Sequence, residues 1–220
     1  MPSPPSFQRA RKPDQRAQRE KAILDAAARL FDAQGMGGVT LNAVARRARI
    51  AKSNLYRYFE SREAILLALL GEDQATCVAA IEEGLAALPG KPNPHTVARV
   101  FATAAAALPR FCALEAAVAS VLEHNLSDDA IGQYKRALMR LGLRIGNALR
   151  AALPSLPARA VAPFLRYLHA TVAGLYPLAH PAPAVARVLR DPQLGTLRSD
   201  FASDMEGMLA AVLSALCGNS

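Results

Sequence analysis

The sequence contains no tryptophan, and aromatic residues make up only 5% of its 220 residues. Its cysteines, Cys77, Cys112 and Cys217, are odd in number and widely spaced, without a CxxC pair or Cys/His ligand spacing. This pattern argues against a disulfide framework and a zinc site, and it favours a reducing compartment. Glu115 interrupts the most apolar helical stretch, so we expect no membrane span, and the N-terminus has no apolar core of signal-peptide length. We therefore expect a soluble, cytoplasmic protein without a metal or cofactor.

Fingerprints of common enzymes are also missing. The chain has no GxSxG, HExxH, P-loop or dinucleotide-binding motif. The glycine-rich GMGG at residues 35–38 follows a helical pattern, so it is interpreted as a helix terminus and not as a phosphate loop. The sequence predicts a protein that is not an enzyme.

The net charge of +8 is concentrated in the first third of the chain. Residues 1–63 hold 13 Lys and Arg against 6 Asp and Glu, and the rest of the chain is nearly neutral. A basic N-terminal region on a neutral body is typical of polyanion binders, most often of nucleic-acid binders. A merely solubilising basic tail is the alternative that charge alone leaves open.

The remaining composition and periodicity predict an all-α protein of three parts. Ala, Leu and Arg are abundant, and straight-chain residues lose little rotamer freedom in helices. Residues 1–14 carry four prolines and are predicted to be a disordered basic tail. Residues 15–63 form the predicted DNA-binding domain, and residues 64–220 a helical body. Its predicted helices span about 62–88, 95–107, 109–125, 128–151, 157–176 and 199–217.

Three short helices are predicted in residues 15–63. Gly35 ends the first helix as a C′ residue, and Thr40 offers a side-chain oxygen that caps the second. A turn at residues 49–51 leads to a third helix from Lys52 to Phe59, and Ser61 can cap the helix that follows. This spacing predicts a helix-turn-helix.

The third helix separates inward from outward side chains. Leu55 and Phe59, four residues apart, are predicted to face the core. Recognition helices present short polar side chains to base edges in the major groove. Base contacts are predicted for Lys52, Ser53 and Asn54, a guanine or phosphate contact for Arg57, and phosphate contacts for the hydroxyls of Tyr56 and Tyr58.

The segment from Thr40 to Glu63, TLNAVARRARIAKSNLYRYFESRE, resembles the DNA-binding segment of the tetracycline-repressor (TetR) family. The resemblance covers about residues 17–77 and includes the Leu-Tyr-x-Tyr-Phe run at residues 55–59. It implies that Thr40 binds phosphate, that Asn42 touches a base, and that Arg62 anchors the DNA backbone. Two residues depart from the family pattern: Arg49 stands where many members have Gly, and Ala51 where a capping Ser or Thr is common.

For the body, the resemblance implies a helical effector-binding and dimerisation domain. Two long helices of each subunit are expected to form a four-helix interface, for which the candidate residues are Phe164, Leu168, Leu175, Met205, Leu209, Val212 and Leu216. Plain intramolecular core is the alternative for each of them. The middle helices are expected to enclose an apolar cavity, with candidate lining residues Phe101, Phe111, Leu114, His124, Tyr134, Leu138, His169 and Tyr176.

Together these features predict a homodimeric transcription regulator, most simply a repressor that a small hydrophobic effector releases from a palindromic operator. A nonspecific nucleoid-type DNA-binding protein is the main alternative. An enzyme is the weaker one.

Overall fold

A computed structural model of the chain describes residues 11–118 and 125–218, and the regular elements in those ranges are all helical. The all-α prediction is therefore confirmed. The helices are α1 (Arg11–Gly38), α2 (Leu41–Ala48), α3 (Lys52–Leu55), α4 (Arg62–Ala86), α5 (Pro94–Ala106), α6 (Pro109–Ala117), α7 (Asp128–Ala152), α8 (Val161–Ala179), α9 (Pro183–Val188) and α10 (Phe201–Gly218). Short 3₁₀ helices span Ala158–Ala160 and Pro192–Leu197.

The chain divides into an N-terminal unit that ends at Leu69 and a C-terminal unit that begins at Leu70. The boundary predicted at residue 63 falls two residues into α4. The first turns of α4 add Ile65, Leu66 and Leu69 to the buried side chains, which explains why the N-terminal unit extends further. Residues 11–14, predicted as part of the tail, lie in α1.

The N-terminal unit has a small aliphatic core. Helix α2 contributes Val44 and Ala45, and α3 contributes Leu55, which is fully buried. The predicted caps are present: Thr40 Oγ1 accepts from the Ala43 amide at 3.2 Å, and Ser61 Oγ accepts from the Ala64 amide at 3.0 Å. These bonds begin α2 and α4 where the sequence predicts. Phe59, predicted to be inward, is only half-buried.

Two backbone positions with positive φ shape this unit. Gly35 has φ 66° and interrupts α1, at the residue predicted to end the first helix. Arg49 is the left-handed C-cap of α2, with φ 54° and ψ 47°, and its amide donates to the Arg46 carbonyl. It is the one non-glycine residue with positive φ in the described ranges. A side chain at such a position strains the backbone, which explains why a glycine suits this turn.

The C-terminal unit is built from α5 to α10 and most of α4. Helix α10 packs against α5 and α8, and α8 also packs against α6 and α7. Phe101 and Phe164 meet edge to face at the centre, with ring centroids 5.3 Å apart. Ser127 caps α7, with Asp128 and Asp129 in its first turn.

The predicted helices of this unit are confirmed with shifted ends. Helix α6 ends at Ala117, and residues 119–124 lie outside the described ranges, so the predicted extension to 125 is not described. Residues 180–200 contain helix α9 and a 3₁₀ helix that the sequence analysis missed. Prolines begin both elements, and these prolines hid the helical periodicity.

Helices α4 and α10 meet the length and hydropathy criteria of a membrane span, and α5 with α6 meets them as a pair bent by 90°. The expectation that a charge within the apolar stretch rules out such a segment needs correction. Helix α4 meets the length and hydropathy criteria although Glu72 and Asp73 lie within it. In the structure 56% of its apolar window is buried, so core packing accounts for much of this hydropathy.

Arg49→Gly is expected to stabilise the N-terminal unit by about 0.5–1 kcal/mol, because relief of the left-handed strain outweighs the chain entropy that glycine adds. Arg47→Gly, inside α2 and also exposed, is the matched control and should destabilise it by about 1 kcal/mol. Hydrogen exchange of the α2 amides measures both effects. Equal destabilisation by the two variants would contradict the strain argument.

Candidate nucleic-acid interface and effector cavity

A shallow groove of about 440 Å³ on the N-terminal unit collects five of the nine predicted DNA-contact residues. Thr40 and Asn42 line it from the start of α2, Lys52 and Tyr56 from α3 and its C-cap, and Arg62 from the start of α4. These residues are distant in the sequence and converge only in the fold. Glu60 and Glu63 lie on the same groove, so it is of mixed charge.

Side chains predicted to read bases are accessible. Lys52, Ser53 and Asn54 are exposed on α3, as is Arg57 in the turn that follows. Tyr56 is 51% exposed, whereas its neighbour Leu55 is fully buried. The buried leucine thus fixes the helix while its neighbours remain available to a partner.

Helix α3 is shorter than predicted. It covers Lys52–Leu55, and Tyr56 to Tyr58 continue as a turn in which the Tyr58 and Phe59 amides donate to the Leu55 carbonyl. Its N-cap, Ala51, makes no side-chain hydrogen bond. Helix α3 therefore lacks a side-chain cap, as the sequence predicts for Ala51. A capping Ser or Thr at this position would stabilise the helix by about 1 kcal/mol.

Arg62 performs a task inside the protein. Its Nε donates to the Val39 carbonyl and its Nη2 to the Met36 carbonyl, both at 2.6 Å, and Nη1 lies 3.6 Å from Glu63. The guanidinium joins the start of α4 to the segment between α1 and α2. A DNA-backbone contact by Arg62 stays a prediction, while its structural role is clear from these bonds.

Tyr58 is half-buried, and the Arg16 guanidinium lies 5.9 Å from the centre of its ring. Arg16 also pairs with Glu20 at 2.8 Å. This environment favours packing as the main role of Tyr58. Its phosphate contact stays a prediction.

The C-terminal unit contains a cavity of about 500 Å³, within the range of about 300–1,000 Å³ that is usual for small-molecule sites. Five candidate lining residues are present in its wall: Phe101, Phe111, Tyr134, Leu138 and His169. Leu114 is fully buried but does not line the cavity, and Tyr176 packs on His180 and Phe201 instead. His124 lies outside the described residues.

One cluster of side chains in the cavity wall is polar. Glu115, buried on α6, accepts a hydrogen bond at Oε2 from Gln74 Nε2 at 3.0 Å, and its Oε1 lies 2.6 Å from His169 Nδ1. Gln74 Nε2 also lies 3.1 Å from the Tyr134 hydroxyl. Nearby, Arg110 binds buried Asp73 through two hydrogen bonds of 2.8 and 2.7 Å.

Two buried cysteines lie close to this polar cluster. Burial, followed by the charge of Glu115, raises the pKa of Cys77 to about 12. Burial also raises the pKa of Cys112 to about 12, with smaller effects from Cys77 and Glu115. Both thiols therefore stay protonated at neutral pH and are poor nucleophiles.

The predicted interface residues are buried or half-buried, and none of them is exposed. Phe164, Met205 and Leu209 are buried within the subunit, so they have little surface left to give a partner. Leu168 and Met205 line the cavity. Leu175, Val212 and Leu216 are half-buried.

The exposed residues of α8 and α10 include the charged Arg166 and Asp204, and also a set of small and apolar residues that we call the α8/α10 face. They are Tyr167, Ala170, Gly174 and Leu178 on α8, and Gly207, Met208, Ala211 and Ala215 on α10. Tyr167, Leu178 and Met208 are each about half exposed or more, at 49%, 61% and 51%. A helical period identifies an apolar stripe, but it does not tell which of two stripes faces the subunit's own core.

Sequence reasoning missed Gln74 and Glu115 as cavity residues. Glu115 had one usable signal, because it interrupts the most apolar helical stretch. A charge at such a place is expensive to bury without partners, and so it often marks a site. Gln74 had no comparable signal on α4.

The short helices, the buried Leu55 and the exposed polar face define a helix-turn-helix protein with a helical C-terminal unit. Residues 23–69 match the family described as bacterial regulatory proteins, tetR family, and residues 71–216 match the tetracyclin repressor-like C-terminal domain. The chain belongs to the tetracycline-repressor family, as the resemblance implied. Its members are DNA-binding transcriptional regulators.

Curated relatives match over about a quarter of this chain. The A-factor receptor protein of Streptomyces griseus is 39% identical over 56 residues, which are 26% of this chain and 20% of that protein. The uncharacterized HTH-type regulator YuxN of Bacillus subtilis is 36% identical over 53 residues, 24% of this chain and 18% of that protein. The matched segments span about a fifth of these relatives.

Solved structures share the whole fold at low identity. The regulator FadR of Bacillus subtilis, in complex with stearoyl-CoA, has a TM-score of 0.56 and 17% identity, covering 88% of this chain and 97% of that one. SCO7222, a TetR from Streptomyces coelicolor, has a TM-score of 0.51 and 16% identity. The match covers 90% of this chain and 97% of that one. Such likeness shows the fold alone.

Proposed function

We propose that this regulator binds an inverted-repeat operator as a homodimer in the cytoplasm and represses transcription until a small hydrophobic effector occupies the C-terminal cavity. The observation that carries the proposal is the convergence of Thr40, Asn42, Lys52 and Tyr56 on one groove. These residues come from two helices of a helix-turn-helix and are of the types that contact bases and phosphates.

In the proposed complex α3 enters the major groove. Lys52, Ser53 and Asn54 approach base edges, and Asn42 adds a contact from α2. Phosphates are bound by Thr40, whose hydroxyl stands at the N-terminus of α2, and by Tyr56 and Arg57. Arg62 acts chiefly by holding α4 against the Met36–Val39 segment, which keeps both helices in place.

The α8/α10 face is the proposed dimer interface. Helices α8 and α10 pack on each other, so their exposed faces are neighbours. Ala170, Gly174 and Gly207 are small enough to let helices of a second copy approach closely, and Tyr167 and Met208 supply apolar area. A dimer places two α3 helices on half-sites about 34 Å apart.

The cavity supports the effector proposal. Its wall is mostly apolar, with Val78, Ile81, Phe101 and Val172 among its residues. FadR, which shares this fold, was solved with stearoyl-CoA. An effector that binds one conformation of the dimer better than another shifts the population away from the operator-binding state.

Selection from random duplexes is expected to enrich an inverted repeat, because each subunit of a symmetric dimer reads the same half-site. Sequencing of the bound pool after successive rounds is the measurement. Enrichment without any sequence preference, with affinity that follows salt alone, would instead support the nonspecific DNA-binding alternative.

Tyr56→Phe is expected to weaken operator binding about 100-fold. It removes one phosphate hydrogen bond per half-site, and two such bonds contribute about 3 kcal/mol. Lys52→Ala should weaken binding and lower its salt dependence. Lys91→Ala, the same change at an exposed position of the C-terminal unit, is the control. Affinities are measured by fluorescence anisotropy; wild-type affinity in both variants would refute the contact assignment.

Met208→Glu is expected to convert the dimer to monomers at micromolar concentration, because it places an unpaired charge in the proposed apolar interface. Met139→Glu is the matched control, since Met139 is a still more exposed methionine, on α7. Sedimentation velocity distinguishes the two states. If Met208→Glu remains dimeric, the interface lies elsewhere.

A further inference from the structure

Glu115 is a carboxylate inside a mostly apolar cavity, with only 7% of its surface exposed. The residues around it come from three other helices: Gln74 from α4, Tyr134 from α7 and His169 from α8. All four side chains line the cavity. These four side chains form one hydrogen-bonded polar cluster in the wall of a mostly apolar cavity.

Burying a carboxylate costs several kcal/mol unless donors compensate it. Gln74 and His169 each approach one oxygen of Glu115, at 3.0 and 2.6 Å. A carboxylate accepts about four hydrogen bonds, so Glu115 retains acceptor capacity after these two contacts. A cavity ligand with a donor group would use that capacity.

We infer that the effector has an apolar body and a hydrogen-bond-donating head group, a hydroxyl or a protonated amine, which binds Glu115. This inference rests on the proposed effector-binding function and specifies its ligand class. The apolar body lies along Val78, Phe101 and Val172. Gln74 and His169 are positioning residues that hold the carboxylate in place.

Anionic ligands fit this polar cluster poorly. A ligand carboxylate beside Glu115 would place two like charges in a medium of low dielectric constant. Lys135 and Arg166 also line the cavity, but both are exposed side chains, and water screens their attraction for an anion. The buried charge therefore decides the head-group preference.

The test is calorimetric titration of the full-length dimer, without DNA, with three probes that share one chain: decylammonium, 1-decanol and decanoate. We expect the amine and the alcohol to bind at least ten-fold more tightly than decanoate. Glu115→Gln keeps the shape and removes the charge, and it should weaken decylammonium binding at least ten-fold and narrow the gap to decanoate. Glu83→Gln, exposed on α4, is the control that should change nothing.

Equal or tighter binding of decanoate by the wild type would overturn the inference, as would failure of all three probes to bind. The head-group comparison on the wild type needs no variant, so a poorly folded Glu115→Gln protein leaves the test intact. Failure of the proposed function looks different: the amine binds with the expected preference, yet the operator complex persists when it is added.

Discussion

The N-terminal unit depends on the two hydrogen bonds that Arg62 donates to the carbonyls of Met36 and Val39. Helices α2 and α3 have eight and four residues, and helices of that length are not stable alone in water. They persist because Leu55 and Val44 are buried and because this guanidinium holds the preceding segment to α4. Each charge-assisted bond contributes about 1.5–3 kcal/mol, a large share of the stability of a small unit.

A similar arrangement recurs in the C-terminal unit around Glu115. A buried charge is tolerated where neighbouring helices supply its donors, and here Gln74 and His169 do so from α4 and α8. Glu115 also lines the cavity, so the same contacts that lower the cost of burial hold a carboxylate in its wall. The effector preference that we propose rests on this same side chain.

Local sequence signals gave much of the fold, because caps and breakers act within a few residues. Thr40, Ser61 and Ser127 cap the predicted helices, and Gly35 interrupts α1 where expected. The left-handed turn at Arg49 was also foreseeable from the resemblance. Helix α9 could not be predicted, because the prolines around it indicate a break between longer helices.

The sequence by itself determined the all-helical class, the helix-turn-helix and the family, since periodicity, capping and a contiguous motif are local properties. Tertiary structure decided which apolar stripe is core, so that Phe164 and Leu209 are buried while Tyr167 and Met208 are exposed. It also brought Gln74 to Glu115, 41 residues away. Such pairings depend on how helices pack against one another, and no period within a single helix encodes its neighbour.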